Sequence, residues 1–144
     1  MQPLATTTIT RSFQWGIAII LASDGEIPDV DPDAAVSVGR SGLVVTVRQE
    51  ADIPLFEGDF DWAEVQITVR WLDGAPDLGT RRSLFDGTLS TPRGRFSIGD
   101  ADDNVKMSTH PGQTRVVVSV DQDWPTDDHH HESLLVDLAP VGHA

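Results

Sequence analysis

One short run in this sequence combines the side chains that bind transition metals. Residues 127–132 read DDHHHE, and imidazole and carboxylate groups are ligands that Zn²⁺, Ni²⁺ and Cu²⁺ accept. Successive side chains of an extended chain point in opposite directions, so His129 and His131 can share a face that His130 cannot. We therefore predict Asp127, His129 and His131 as candidate metal ligands, which would need further ligands from elsewhere. The alternative is a polar hairpin loop with adventitious affinity for metal.

Calcium binding by aspartates is a second candidate chemistry. Residues 29–33 read DVDPD, but the twelve-residue calcium loop needs Gly and Glu where Ala34 and Arg40 stand. Calcium could instead be held between loops by five aspartates together: Asp59, Asp61, Asp100, Asp102 and Asp103. The alternative is an Asp-rich solvated turn, because Asp side chains bond to the backbone of turns.

Sequence motifs for catalysis are not found in this chain. It has no GxSxG nucleophile elbow, and the segment 39–42 (GRSG) lacks the lysine and the spacing of a phosphate-binding loop. Carboxylates are so numerous that a pair at acid–base separation carries no information. The absence of cysteine excludes thiol nucleophiles, disulfides and cysteine-bound metals. We predict a protein that is not an enzyme and has no cofactor, and a small hydrolase stays the third alternative for its function.

The charge of the chain points to a protein partner. The 144 residues include 23 acidic and 10 basic side chains, for a formal net charge of −13, which repels nucleic acid and anionic membrane surfaces. Aromatic residues near acidic ones could anchor a basic protein while the carboxylates steer its approach. The candidate contact residues are Phe56, Asp59, Phe60, Asp61, Asp100, Asp102, Asp103 and Trp124. The alternatives are that the charge only confers solubility and that the rings cap the core.

These candidate residues lie in bends between stretches that alternate apolar and polar side chains. The segment 63–71 (AEVQITVRW) alternates almost without interruption, which is the period of a strand and not of a helix. The same period predicts strands at 13–22, 43–48, 63–71, 83–91, 95–98, 105–109, 114–121 and 133–138, with a Thr-rich edge at 6–10. The segments 23–41, 49–61 and 122–132 break this rhythm, and loops of this kind usually carry function.

Turn residues separate the predicted strands. Residues 90–94 (STPRG) suit a type I turn, and residues 110–113 (HPGQ) suit a type II turn, in which Gly accepts the positive φ. From residue 83 onward the close spacing predicts an up-and-down meander of hairpins. We predict an all-β, antiparallel β-sandwich or flattened barrel of about eight strands, with little or no helix. Each sheet should bury one face and show the other to water.

Length and hydropathy predict one domain without a membrane segment. The range 1–144 is of ordinary domain size, and we expect residues 1–5 and 140–144 to fray. The longest apolar run, at 15–22 (WGIAIILA), is far shorter than the ~20 residues that cross a bilayer. The chain also lacks the basic start and the cleavage site of a signal peptide. We therefore expect a cytoplasmic protein.

Four stretches of the chain carry a family resemblance. They are Trp62 with Glu64 at the opening of a strand, and the segments 89–98 (LSTPRGRFSI), 111–118 (PGQTRVVV) and 132–140 (ESLLVDLAP). Over about residues 40 to 140, this order resembles small bacterial, often actinobacterial, uncharacterised proteins that are similar in turn to the competence nuclease inhibitor, competence protein J. The resemblance implies a small β-rich protein that binds and blocks a partner nuclease. The matched positions are turn and strand residues, so no catalytic or binding residue is carried over.

Charge, loop aromatics and this resemblance together predict a non-enzymatic acidic protein-binding module. It is a candidate inhibitor or immunity-type protein against a basic nuclease or toxin. In such a complex, the carboxylates that would mimic phosphates are Asp59, Asp61, Asp100, Asp102 and Asp103. The alternative, from a different class, is a β-sandwich stabilised by calcium or a transition metal, with a structural or ligand-binding role.

Overall fold

Two five-stranded sheets face each other across one core. The structure is a computed structural model that describes residues 3–13, 15–31, 33–48, 64–100, 104–109 and 111–141. Its strands are β1 (Ala5–Ser12), β2 (Ile17–Ala22), β3 (Val36–Val38), β4 (Gly42–Thr46), β5 (Glu64–Trp71), β6 (Arg82–Thr91), β7 (Arg95–Gly99), β8 (Asn104–Ser108), β9 (Gly112–Val120) and β10 (Ser133–Pro140). The first sheet has the order β1-β5-β10-β9-β6, and the second has the order β3-β4-β2-β7-β8. The predicted all-β sandwich is confirmed, and it is not a closed barrel.

Alternating apolar side chains form the core between the sheets. Every second residue of a strand points to the same face, and the register of the strands aligns these positions in rows. In the first sheet, for example, Val69 of β5 lies opposite Val136 of β10. The fully buried core residues include Val65, Ile67, Val69, Val116, Val118, Val136 and Leu138 from the first sheet, and Ala18, Ile20, Leu43, Val45, Phe96 and Ile98 from the second.

The outer face of the first sheet is covered at its centre. Strands β5 and β6 are separated by β10 and β9, so residues 72–81 cross the sheet to connect them. Leu72 N donates to Leu138 O at 2.9 Å, and the Arg81 guanidinium donates to Ser119 Oγ at 3.0 Å and to Ser119 O at 2.9 Å. Beneath this crossing lies Asp137, which is fully buried.

The outer face of the second sheet is covered in the same way. Residues 23–35 connect β2 to β3, which lies on the far side of β4, and Asp31 N donates to Ser37 Oγ at 2.9 Å. Val44 of β4, whose neighbours Leu43 and Val45 point into the core, is buried on this outer side. The expectation that each sheet shows one face to water is therefore wrong at the centre of both sheets, because the two crossing connections bury it.

The chain changes sheet where the sequence predicts a continuous strand. The predicted strand 13–22 is broken by a turn, in which Gly16 N donates to Phe13 O at 3.1 Å and Gly16 has a φ of 69°. Glycine takes this left-handed conformation without the steric cost that a Cβ would add. The turn leads from β1 in the first sheet to β2 in the second.

Other parts of the predicted topology also differ from the structure. Strand β3 lies within the predicted loop 23–41. Strands β6 and β7 do not form a hairpin, because the turn from Thr91 to Gly94 leads from one sheet to the other. From residue 83 onward only β7–β8 and β9–β10 pair as neighbours in sequence, so the meander is wrong. The first sheet is mixed, because β10 runs parallel to β5.

The topology gives the sandwich two chemically different ends. At one end, which we call the acidic end, lie the turn 13–16, residues 33–35, the end of β4 and the β9–β10 loop (121–132). The opposite end carries the exposed Arg40, Arg93 and Arg95, of which Arg93 forms an ion pair with Asp24. Within the described part of the chain, no helix is long and apolar enough to cross a membrane.

Candidate functional site

His131 fastens the β9–β10 loop to the second sheet at the acidic end. His131 forms an isolated parallel bridge with Val47, which follows β4, and Arg48 N donates to His131 O at 3.0 Å. The Nδ1 atom of His131 lies 3.2 Å from Thr46 O. Because a carbonyl oxygen can only accept, Nδ1 carries the proton in this bond. The loop is thus held by the first sheet, through β9 and β10, and by the second sheet, through His131.

Trp124 connects several parts of this loop through hydrogen bonds and a ring contact. Its indole Nε1 donates to Asp128 O at 2.8 Å, and its ring centroid lies 5.7 Å from that of His131. Its carbonyl oxygen accepts a hydrogen bond from Arg82 at 3.0 Å. Trp124 is half-buried, so its ring supports the loop as well as contributing to its surface.

Aspartate side chains fix the two bends of the loop. Asp121 Oδ1 accepts a hydrogen bond from Asp123 N at 3.0 Å, and Asp128 Oδ1 accepts one from His130 N at 2.9 Å. Such bonds from a side chain to the backbone two residues later stabilise turns. These two bonds therefore give both bends of the loop a defined shape.

A cleft opens between this loop and the connection that leads into β3. It has a volume of about 410 Å³. Asp33 contributes one wall, and its backbone N donates to Asp31 Oδ1 at 2.9 Å. The lining residues are Asp33, Thr46, Asp127, Asp128, His129 and His130. Carboxylates from two separate segments thus meet at this cleft, an arrangement that suits the ammonium or guanidinium group of a basic protein.

The negative charge of the β9–β10 loop is largely unpaired. No arginine or lysine of the described residues forms an ion pair with its four aspartates, Asp121, Asp123, Asp127 and Asp128. Arg81 is close enough to attract Asp121 but not to pair with it directly. By contrast, Glu132 binds Arg48 at 3.2 Å. The surplus of negative charge therefore lies on the loop aspartates.

The structure describes only two of the predicted contact residues, Asp100 and Trp124. Phe56, Asp59, Phe60, Asp61, Asp102 and Asp103 lie outside the described residues. Asp100 binds Arg11 at 2.9 Å, and its side chain is only 13 % exposed, so much of its charge is offset. Trp124 lies at the acidic end as described above. The sequence interpretation missed the cleft, because nothing in the sequence indicates that Asp33 lies near the β9–β10 loop.

The predicted metal ligands are only partly brought together. The rings of His129 and His131 are nearly parallel, with centroids 6.5 Å apart, so they share a side as their spacing predicts. Among the residues that the structure describes, however, no three His, Asp or Glu side chains are placed to hold one metal ion. The set Asp127, His129 and His131 stays a prediction that the described geometry does not support.

The burial of His131 makes the stability of the folded protein depend on pH. Burial, together with the nearby charges of His129 and Arg82, lowers the pKa of His131 from its ordinary value of 6.5 despite its bond to Thr46 O. The folded protein then binds fewer protons at this site than the unfolded chain does. The resulting stability is fully present above pH 6.5 and is lost as the pH falls from there to the lowered pKa.

We therefore expect the free energy of unfolding to fall when the pH is lowered through 6.5, by at most about 1.4 kcal/mol per pH unit from this group. His131→Gln should remove this part of the slope, because glutamine does not titrate. His130→Gln is the control, because it makes the same substitution at an exposed neighbour of the buried ring. Urea unfolding at a series of pH values measures all three proteins. A His131→Gln protein with an unchanged slope would contradict the role of the buried ring.

The fold is shared with two proteins of known structure. ComJ from Bacillus subtilis, described as an inhibitor of the DNA degrading activity of NucA, aligns with a TM-score of 0.63 and 9% identity over 97% of this chain and 98% of that chain. The protein of Crocagin biosynthetic gene J aligns with a TM-score of 0.53 and 14% identity over 94% of this chain and 96% of that chain. No protein-family model and no curated protein sequence matches this chain. At such low identity the likeness shows a common fold alone.

Proposed function

We propose that this protein is an inhibitor-type protein that binds a basic nuclease or toxin through its acidic end. One observation carries the proposal: four loop aspartates that have no arginine or lysine ion-pair partner among the described residues lie on a loop that both sheets hold in place. The fold shared with ComJ, a nuclease inhibitor, supports this class of function. We place the encounter in a bacterial cytoplasm, where such an inhibitor would protect the cell's own nucleic acid.

The chemistry of the proposed interface is imitation of a phosphate backbone. A nuclease or nucleic-acid-directed toxin binds its substrate with lysine and arginine side chains. Carboxylates held at fixed positions attract the same side chains and raise the rate of association. The cleft between Asp33 and Asp127 offers a place for one such side chain to enter.

Two further acidic segments, which lie outside the described residues, belong to the proposal by their sequence. Residues 49–63 follow Arg48 and lead into β5, and residues 101–103 join β7 to β8. They contain seven acidic residues and no basic one: Glu50, Asp52, Glu57, Asp59, Asp61, Asp102 and Asp103. Phe56, Phe60 and these aspartates therefore stay part of the proposal as candidate contacts.

A pull-down from native lysate tests the proposal. The immobilised protein is exposed to lysate at low ionic strength and washed with rising salt, and the eluted proteins are identified and assayed for nuclease or toxin activity. We expect a basic protein with such activity to elute with salt, because exposed charge contacts are screened. Retention of no such protein, or retention that salt does not weaken, would contradict the electrostatic interface.

A further inference from the structure

The turn between β1 and β2 exposes an indole ring at the acidic end. Trp15 is 72 % exposed, which is the highest value among the large apolar side chains of the described residues. The others lie elsewhere: Leu4 and Val38 are at the opposite end, and Ile27 and Val30 are on the connection 23–35. An exposed tryptophan is costly in water and is enriched at the energetic centres of protein interfaces.

The support beneath Trp15 is rigid. Phe13 is completely buried in the core and lies under the guanidinium of Arg11, 5.4 Å from the ring centroid. Gly16 closes the turn onto Phe13 O at 3.1 Å, and Gly16 O accepts a hydrogen bond from Val47 N at 2.9 Å. Phe13 and Gly16 are thus held by contacts with the rest of the sandwich, which limits the backbone freedom that is lost when a partner binds.

Backbone contacts connect this turn to the β9–β10 loop. Gly16 bonds to Val47, Val47 bridges His131, and the ring of His131 lies beside that of Trp124. Trp15 is therefore part of the same end surface as the unpaired loop aspartates. Sequence periodicity placed it in a buried strand, and only the turn at Gly16 brings it to the surface.

We infer that Trp15 is the apolar anchor of the partner interface and that a lysine or arginine side chain of the basic partner stacks on its ring. This inference rests on the proposed function. The net charge of −13 and the loop aspartates at the same end of the sandwich favour a basic surface, and the face of an indole is the aromatic surface that cations prefer. The contact adds apolar burial to the charge contacts of the loop, and salt does not screen apolar burial.

Three variants test the inference, with the salt-eluted protein from the pull-down, once purified, as the binding probe. Trp15→Ala should weaken binding by about 30-fold or more, as the loss of an interface hot spot does. Trp15→Phe should keep most of the affinity, because it retains an aromatic face. Val38→Ala is the control, since Val38 is also exposed but lies at the opposite end. Circular dichroism and thermal melting should show that all three variants are folded and as stable as the wild type.

The salt dependence separates failure of this inference from failure of the proposed function. We expect Trp15→Ala to lower affinity at every salt concentration and to leave the slope against salt unchanged, because no charge is removed. If Trp15→Ala binds as tightly as the wild type while salt still weakens binding, the acidic interface stands and the role of Trp15 is refuted. If no protein elutes with salt, the proposed function and the inference both fail.

Discussion

Replacing all four aspartates of the β9–β10 loop by asparagine is expected to weaken partner binding roughly ten- to a hundredfold at low salt and to flatten its dependence on salt. Each exposed charge contact contributes about 0.2–1 kcal/mol, and four of them together reach this range. Asparagine keeps a side-chain oxygen, so the bonds to Asp123 N and His130 N can persist. The change therefore removes charge while it preserves the shape of the loop. Titration calorimetry at several salt concentrations measures the effect.

The matched control removes the same number of charges elsewhere. Four exposed acidic residues lie away from the acidic end, and they are changed to the corresponding amides: Asp24, Glu26, Asp29 and Asp73. This variant should bind almost as tightly as the wild type, because the distances to the partner are long and salt screens them. Equal weakening by both sets of changes would show that net charge, and not the acidic end, attracts the partner.

The largest effect on stability is expected from Arg70→Met, which should cost about 3–5 kcal/mol. Asp137 is fully buried under residues 72–81, and Arg70 donates to its two oxygens at 2.6 and 3.0 Å. This bond also raises the pKa of Arg70. Removal of the arginine leaves a buried carboxylate without its partner, which is among the costliest changes in a protein core. Arg81 attracts Asp137 from a greater distance and offsets only part of this cost.

Two further variants distinguish the effect of burying Asp137 on stability from the effect of its ion pair with Arg70. The double change Arg70→Met with Asp137→Leu should recover much of the loss, because an apolar pair can replace a buried ion pair. Arg115 and Asp86 form a comparable two-pronged pair on the same sheet, at 2.9 and 2.7 Å, but both side chains are exposed. Arg115→Met should cost less than about 1 kcal/mol. Urea unfolding measures the free energy of unfolding of each variant. If Arg70→Met and Arg115→Met lower it equally, the claim that burial of Asp137 makes its pair more important is contradicted.

The alternation of apolar and polar residues predicts the class of fold and most of the strands, but neither β3 nor the break in the predicted strand 13–22. Segment 63–71 matches β5 to within one residue, because the buried face of a strand must repeat with period two. Periodicity does not state which sheet a strand joins. The turn at Thr91–Gly94 reads as a hairpin turn in sequence, yet it joins strands of different sheets. The allocation of strands to sheets depends on contacts between distant segments.

Because parts of the outer faces are covered, the sequence pattern did not show which side chains of some strands are buried. Val117 and Asp137 stand at positions that alternate with the core and were expected to face water. Both are buried instead, on the face that residues 72–81 cross, and the sequence of that connection gives no sign of where it crosses. The same limit applies to β3, whose three residues are too short for a periodic pattern.

The candidate site was predictable only in part. The sequence places the carboxylates of a partner interface at Asp59, Asp61, Asp100, Asp102 and Asp103, and the aspartates of the β9–β10 loop were not among these predicted contacts. Asp100 is paired with Arg11, and Trp15 is exposed although it opens an apolar run. Both outcomes depend on a neighbour or a turn that only the folded chain brings together.

The most direct test of the acidic-end account is an inhibition assay with the salt-eluted nuclease from the pull-down. DNA degradation is followed while the purified protein is added to a fixed amount of nuclease, with the nuclease alone measured at each salt concentration. We predict that one equivalent of the protein stops degradation at low salt, that added salt restores it, and that the four-asparagine variant inhibits poorly. Full degradation in the presence of excess protein at low salt, or equal inhibition by the four-asparagine variant, would contradict the account.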